Sequence, residues 1–248
     1  EMEAINAMAC DNGLTVIEDC AQAHGSAYNG RRVGGLGHMG AFSFFATKHM
    51  TTAEGGMVTT DDPDLATYMR CFRSHGLQGR NDHVLLGYNY RMPEPLGALG
   101  LSQLNRLETF NADRIRASEA VIERIRDIPW LMVPRVPAHV RHTYFWCHVL
   151  IDEDRLGMTT RDLIARLGEQ GVEVRHRYET PLYRQPLLTT NIPRLLRLSA
   201  GDNLPDYANL HLPNAERTAG QIIGLPNRPD LTEGEIQRVA DVLHEMGP

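Results

Sequence analysis

Lys48, Asp19 and Ser43 have the side-chain types and spacing for chemistry at the end of a sheet. Lys48 follows an apolar run, Ala41-Phe-Ser-Phe-Phe45, and precedes Thr51-Thr-Ala-Glu-Gly-Gly56. In apolar, glycine-rich surroundings an ammonium is partly desolvated, which favours the neutral, nucleophilic amine. Such an amine can condense with a carbonyl to form a Schiff base. Taken alone, Lys48 also reads as a surface lysine in a loop. Asp19 follows the apolar run Leu14-Thr-Val-Ile17 and Glu18, and alone it reads as a cap or turn residue. The two gain meaning together. Asp19 ends one strand of parallel type and Lys48 follows another, and α/β folds gather such strand ends around a ligand crevice.

Pyridoxal 5'-phosphate needs this pair. A lysine takes its aldehyde, and a carboxylate keeps the ring nitrogen protonated so that the ring can act as an electron sink. Ser43, five residues before the lysine, can give a hydroxyl to a phosphate. Flanked by Phe42 and Phe44, it fits equally as a plain strand residue.

The elements that must position these groups follow from patterning. Met2, Ile5, Met8 and Ala9 lie on one side of an opening helix, and Leu14–Ile17 reads as a short buried strand. The glycine-rich stretch from Gly25 to Gly40 reads as loop and turn. Ala41–Phe45 and Gly56–Thr60 are further strands. Asp62 then caps a helix that has Pro63 in its first turn and runs to about Cys71. Leu96, Leu99, Leu104, Leu107 and Phe110, then Val121, Ile122, Ile125 and Ile128, keep helical spacing over one long helix or two in series. Beyond Pro134 the pattern changes to a strand at Phe145–Ile151, a helix at Thr159–Glu169, a strand at Val172–Tyr178 and a closing helix at Thr232–Met246. These readings divide the chain into a larger α/β region, residues 1–133, and a smaller α+β domain, residues 134–248. The chain opens in mid-helix, one strand before its richest motif, so a further N-terminal part of the large domain is expected.

The 248 residues carry 25 Lys+Arg against 31 Asp+Glu, a net charge of −6. That balance, with no basic patch, argues against nucleic acid or an anionic membrane surface as partner. No apolar run approaches the ~18 residues of a spanning helix. The four cysteines are scattered, without Cys-x-x-Cys spacing, and point to a reducing, cytoplasmic setting. His139-x-x-His142 is the tightest histidine pair, but it has no carboxylate at ligand spacing, so no metal site is expected.

Four segments in order carry a family resemblance: Ile17-Glu-Asp-Cys-Ala-Gln-Ala-His-Gly25, Gly40 to Gly56, Tyr88-Asn-Tyr-Arg-Met92 and Gly100-Leu-Ser-Gln-Leu104. With His142-Thr-Tyr144, Gly171-Val-Glu-Val174 and Gly224-Leu-Pro226 they resemble the DegT/DnrJ/EryC1/StrS sugar aminotransferases, over nearly the whole chain. The resemblance implies aminotransferase fold type I, here a partial large domain followed by the small one. It implies Lys48 as the Schiff-base lysine and Asp19 as the carboxylate on the pyridinium nitrogen. Gln22 would contact the ring near its hydroxyl, and Ser43 would hold the phosphate. Asn89 would reach the phosphate in the neighbouring subunit, and hence a homodimer with shared sites is implied. Pro95 and Gly97 depart from the family's helix-favouring residues after the asparagine motif.

The implied activity is transfer of an amino group, from glutamate by family habit, to a nucleotide-linked keto-sugar, as in amino-sugar, polysaccharide or antibiotic biosynthesis. Within the family the alternatives are a cyclitol or aminoshikimate-type aminotransferase and a sugar dehydratase. In the dehydratase branch a histidine replaces the lysine; here Lys48 is intact and His49 is only its neighbour. A non-catalytic regulatory relative is the alternative from another class, and the intact Lys48, Asp19 and Gln22 argue against it.

Overall fold

The computed structural model describes residues 1–191 and 206–247, which fall into two compact units. Unit 1 comprises residues 1–116 and 135–145, and unit 2 comprises 117–134 and 146–248. The units interleave in sequence, where the patterning alone suggested a single cut at Pro134.

Unit 1 opens with α1 (Met2–Asp11) and contains β1 (Ile17–Asp19), β2 (Ala27–Tyr28), β3 (Arg31–Arg32), β4 (Met39–Ser43), β5 (Gly56–Thr59) and α2 (Pro63–Phe72). β1 pairs parallel with β4, Ile17 opposite Met39 and Asp19 opposite Ala41. β5 adds antiparallel on the far side of β4. The strand expected at Leu14–Ile17 starts later, at Ile17, and is not buried there: Leu14 and Ile17 are 61% and 62% exposed. Strand alternation explains this, because it is Glu18 that turns inward while Ile17 borders an open cavity of about 490 Å³. The face of α1 expected to be apolar buries only Ala9.

The glycine-rich stretch read as loop contains a hairpin. Asn29 and Gly30 both have positive φ, 47° and 76°, as a two-residue turn between β2 and β3 requires. β7 (Val140–Arg141) completes this second sheet against β2. α2 starts as read, with the Asp62 carboxylate accepting from the amides of Asp64 and Leu65.

A single helix, α3 (Glu94–Ile125), spans 32 residues and takes Pro95 into its first turn, where the missing N–H costs nothing. Its first part belongs to unit 1 and holds the turn after β1. Asn111, fully buried, donates from Nδ2 to the His24 carbonyl at 2.8 Å, and Glu108 pairs with Arg32 and Arg141, which both donate to the Gly25 carbonyl.

Unit 2 holds an antiparallel sheet in the order β6 (Leu131–Met132), β8 (Cys147–Ile151), β10 (Ile222–Leu225), β9 (Arg175–His176). Its helices are α4 (Glu153–Leu156), α5 (Thr160–Glu169), α6 (Pro213–Gln221) and α7 (Glu233–Glu245). Leu163 and Leu167 of α5, Ile236 and Leu243 of α7, and Val149, Ile151 and Ile223 of the sheet are all fully buried. Thr232 and Glu235 close a reciprocal capping box at the start of α7. The strand expected over Val172–Tyr178 shrinks to Arg175–His176; beyond its C-terminal end Tyr178 takes a left-handed φ of 57°. Among the described residues no helix is long and apolar enough to cross a membrane.

The loop that carries Asn89 folds back on α2. Tyr88 N–H donates to Phe72 O at 2.8 Å and Tyr90 N–H to Arg73 O at 2.9 Å, while Ser74 bridges Asn89. Gly76 makes this approach possible. Its φ is +71°, and a Cβ there would stand 1.8 Å from the Leu85 carbonyl oxygen. Gly76→Ala is expected to cost about 1–3 kcal/mol and to expose the Tyr88 and Tyr90 amides. Urea unfolding and hydrogen exchange at those two amides check both effects.

Candidate active site

Parallel pairing makes β1 and β4 leave the sheet at the same edge. At that edge stand Asp19, the last residue of β1, with Gln22 in the following turn, and Ser43, the last residue of β4, with Lys48 beyond it. Asp19 is exposed, and its Oδ1 accepts from the Ala21 amide at 3.0 Å, which holds the carboxylate upright at the strand end. Ser43 is half-buried and its Oγ accepts from the Phe45 amide at 3.3 Å. Gln22 is exposed on the turn that α3 secures. Asn89 lies away from this edge, on the loop against α2, where its Oδ1 accepts from Arg91 Nε at 3.0 Å. The structure thus brings Asp19, Gln22, Ser43 and Lys48 to one edge and keeps Asn89 on a separate loop.

By sequence, Glu18 and Asp19 are adjacent polar residues at the end of one strand. The pleat separates them. The Glu18 carboxylate is buried and accepts from three backbone amides: Gly34 at 2.8 Å on Oε2, and Leu36 and Gly37 at 2.7 and 2.8 Å on Oε1. Charge-assisted bonds of this length are the strong kind, and they tie the loop before β4 to the strand beside it.

Lys48 lies in a tight turn, its amide donating to Phe45 O at 3.0 Å. The return path is pinned by Thr52 N–H to Phe44 O at 2.9 Å and Phe44 N–H to Gly55 O at 2.8 Å. The side chain is half-buried, with Nζ 4.7 Å from the centroid of the Phe145 ring. The sequence holds a further signal: Lys48 is the only lysine among the 248 residues, and the other 24 of the 25 basic side chains are arginines.

Two buried histidines back this turn. His24, 2% exposed, lies 5.5 and 5.9 Å from the rings of Phe42 and Phe44 and 5.4 Å from that of His49. His49, 4% exposed, meets the Thr143 carbonyl through Nε2 at 3.2 Å, so Nε2 carries the proton. Burial, with the Arg114 guanidinium and His24 beside it, pushes the His49 pKa down to about 3; burial lowers that of His24 as well. Both rings are neutral at neutral pH. His139 pairs instead with Glu1 at 3.3 Å and stands edge-on to Tyr28.

In unit 2 the Arg175–Tyr178 run divides by face. Arg175 pairs with Glu173 at 2.9 Å, Arg177 lies flat over Trp146 at 3.5 Å, and His176 Nε2 meets the Ala219 carbonyl at 2.9 Å.

A sequence model of the DegT/DnrJ/EryC1/StrS aminotransferase family matches residues 1–244. The chain belongs to that family. It is 32% identical over 245 residues to a UDP-N-acetyl-3-dehydro-alpha-D-glucosamine 3-aminotransferase of Acidithiobacillus ferrooxidans, covering 98% of this chain and 60% of that protein. Among solved structures it resembles PseC of Helicobacter pylori, an aminotransferase of pseudoaminic acid biosynthesis, with TM-score 0.82 and 26% identity over 100% of this chain and 63% of that one. It also resembles the Escherichia coli GDP-4-keto-6-deoxy-D-mannose-3-dehydratase with bound hydrated PLP, with TM-score 0.76 and 26% identity over 97% of this chain and 63% of that one. The chain spans about three fifths of the length of the curated relatives it matches. Pyridoxal phosphate is the cofactor of this family. The donor set at the sheet edge fits it: one ε-amine, one carboxylate and one hydroxyl.

Neutral buried histidines make stability fall in acid. A group whose folded pKa lies below its unfolded one contributes stability that is complete above about pH 6.5 and drains as pH falls toward about 3. The unfolded chain binds the extra protons in that window, at up to about 1.4 kcal/mol per pH unit for one group. Urea unfolding between pH 4 and 7 should therefore show stability rising with pH, and His49→Phe should flatten the slope. Glu18→Ala, which leaves three amides without their acceptor, is expected to cost on the order of 3 kcal/mol at pH 7 in the same measurement.

Proposed function

We propose that this chain carries the catalytic lysine of a pyridoxal-phosphate-dependent aminotransferase acting on a nucleotide-linked keto-sugar. The observation that carries the reading is the sole lysine placed at the same sheet edge as Asp19, one turn beyond a parallel strand pair. When bound, the cofactor supplies an electron sink for the carbon that exchanges its amino group. Lys48 Nζ would hold the cofactor through its aldehyde and, when free, would serve as the base and acid for the proton at the reacting carbon. Asp19 would keep the ring nitrogen protonated, Gln22 would meet the ring near its hydroxyl and Ser43 would donate to the phosphate. Asn89, held on its own loop, serves the phosphate of a second copy's site, which makes the enzyme a homodimer. On this reading unit 1, residues 1–116 and 135–145, forms the cofactor-binding part.

The relative from A. ferrooxidans is named for a UDP-linked 3-dehydro sugar, which supports a keto-sugar nucleotide as acceptor. Glutamate is the proposed donor. Four free cysteines, three of them buried, support a cytoplasmic setting.

The test is to incubate the chain with pyridoxal phosphate, reduce with borohydride and locate the pyridoxyl mass by peptide digest. Lys48 is expected to carry it, and Lys48→Arg to carry none and to lower 2-oxoglutarate release from glutamate at least about a hundredfold. A folded wild-type chain without label on Lys48 defeats the proposal.

A further inference from the structure

The segment Thr143–Phe145 meets the Lys48 turn twice. Its first residue offers a carbonyl to His49 Nε2 at 3.2 Å, fixing the backbone immediately after the lysine. Its last residue places a ring 4.7 Å from Lys48 Nζ, and that ring also lies 5.6 Å from the ring of His49. Between them Tyr144, 4% exposed, has a φ of +46°, a conformation that L side chains rarely adopt. Its amide donates to His142 Nδ1 at 3.0 Å, which holds the bend. A buried, left-handed tyrosine is costly unless the surroundings impose it, and such strain concentrates at functional sites. Here the bend turns one residue's carbonyl and another residue's ring toward the same lysine turn.

We infer that Thr143–Phe145 is a mount for Lys48, in which His49 and Phe145 are positioning residues: His49 anchors the main chain of the turn and the Phe145 ring face seats the ε-ammonium. This rests on the reading of Lys48 as the cofactor lysine. His49 can act as an anchor because it stays neutral, so its Nε2–H donates without adding a charge beside Lys48. The Phe145 face, electron-rich at its centre, attracts the ammonium whenever the amine is free and protonated.

Because Lys48 is the only lysine, growth on ¹³C-lysine yields one Cε–Hε signal from the unmodified chain. In the wild type that signal is expected upfield of free lysine, since Nζ stands over a ring face. Phe145→Leu should return it to the free position, and Phe145→Tyr, which keeps the ring, should preserve it. His49→Phe, which keeps bulk but loses the donor, should move it part-way and broaden it. With the shift lost, Lys48 no longer starts from one orientation, and the rate of pyridoxyl labelling, compared at equal fractions of free amine from each variant's pH profile, should fall about tenfold. Thermal unfolding by circular dichroism, run on each variant, identifies any that fail to fold, and Phe145→Tyr carries the test in that event. A wild-type signal at the free-lysine position overturns the mount, as does labelling that proceeds at the wild-type rate after the shift is lost. An upfield wild-type signal with no pyridoxyl label overturns the cofactor reading instead, and with it the purpose assigned to the mount.

Discussion

The candidate site depends on one buried carboxylate. Glu18 lies in a strand of only three residues, and its side chain satisfies three amides of the loop that leads into β4. A strand so short has little ladder of its own to set its position, so the grip of Glu18 on Gly34, Leu36 and Gly37 fixes how β1 lies beside β4. Alternation does the rest. With residue 18 committed inward, residue 19 must face the other way, at the edge where β4 also ends. Burying a charge is tolerable only when its acceptor capacity is used, and here it is used on backbone groups that would themselves be costly to bury unpaired.

A second contrast governs the other side of the edge. Lys48 is half-buried while the next two residues, His49 and Met50, are buried. The turn is sealed on one flank and open on the other, so the lysine side chain is supported without being enclosed. The histidine rings behind it remain uncharged because desolvation disfavours their protonated form.

The sequence offers its candidates for chemistry by type and order: a lysine after an apolar strand, a carboxylate ending another. Helices with explicit start signals were legible too, as Asp62-Pro63 and Thr232 with Glu235 illustrate. What escaped was set by contacts distant in the chain. Nothing local distinguishes the inward Glu18 from the outward Asp19, since the pattern of strand faces depends on a glycine loop folded over one side. The hairpin at Asn29-Gly30 did have a local signal, hidden among so many other glycines. The exposure of Leu14 and Ile17 reverses the rule that apolar runs make buried strands, because burial requires a partner surface and not only an apolar side chain. His49 looked like a bystander because its partner, Thr143, lies 94 residues away.

The distribution of basic side chains has a chemical consequence of its own. A guanidinium holds its proton at any physiological pH and does not condense with aldehydes, whereas a deprotonated ε-amine does. By placing arginine at every basic position but one, these 248 residues confine carbonyl chemistry at side-chain amines to a single address. A reactive aldehyde meeting this surface finds no competing lysine to form a dead-end adduct, and selectivity that other proteins must obtain by tuning one amine against many is obtained here by composition.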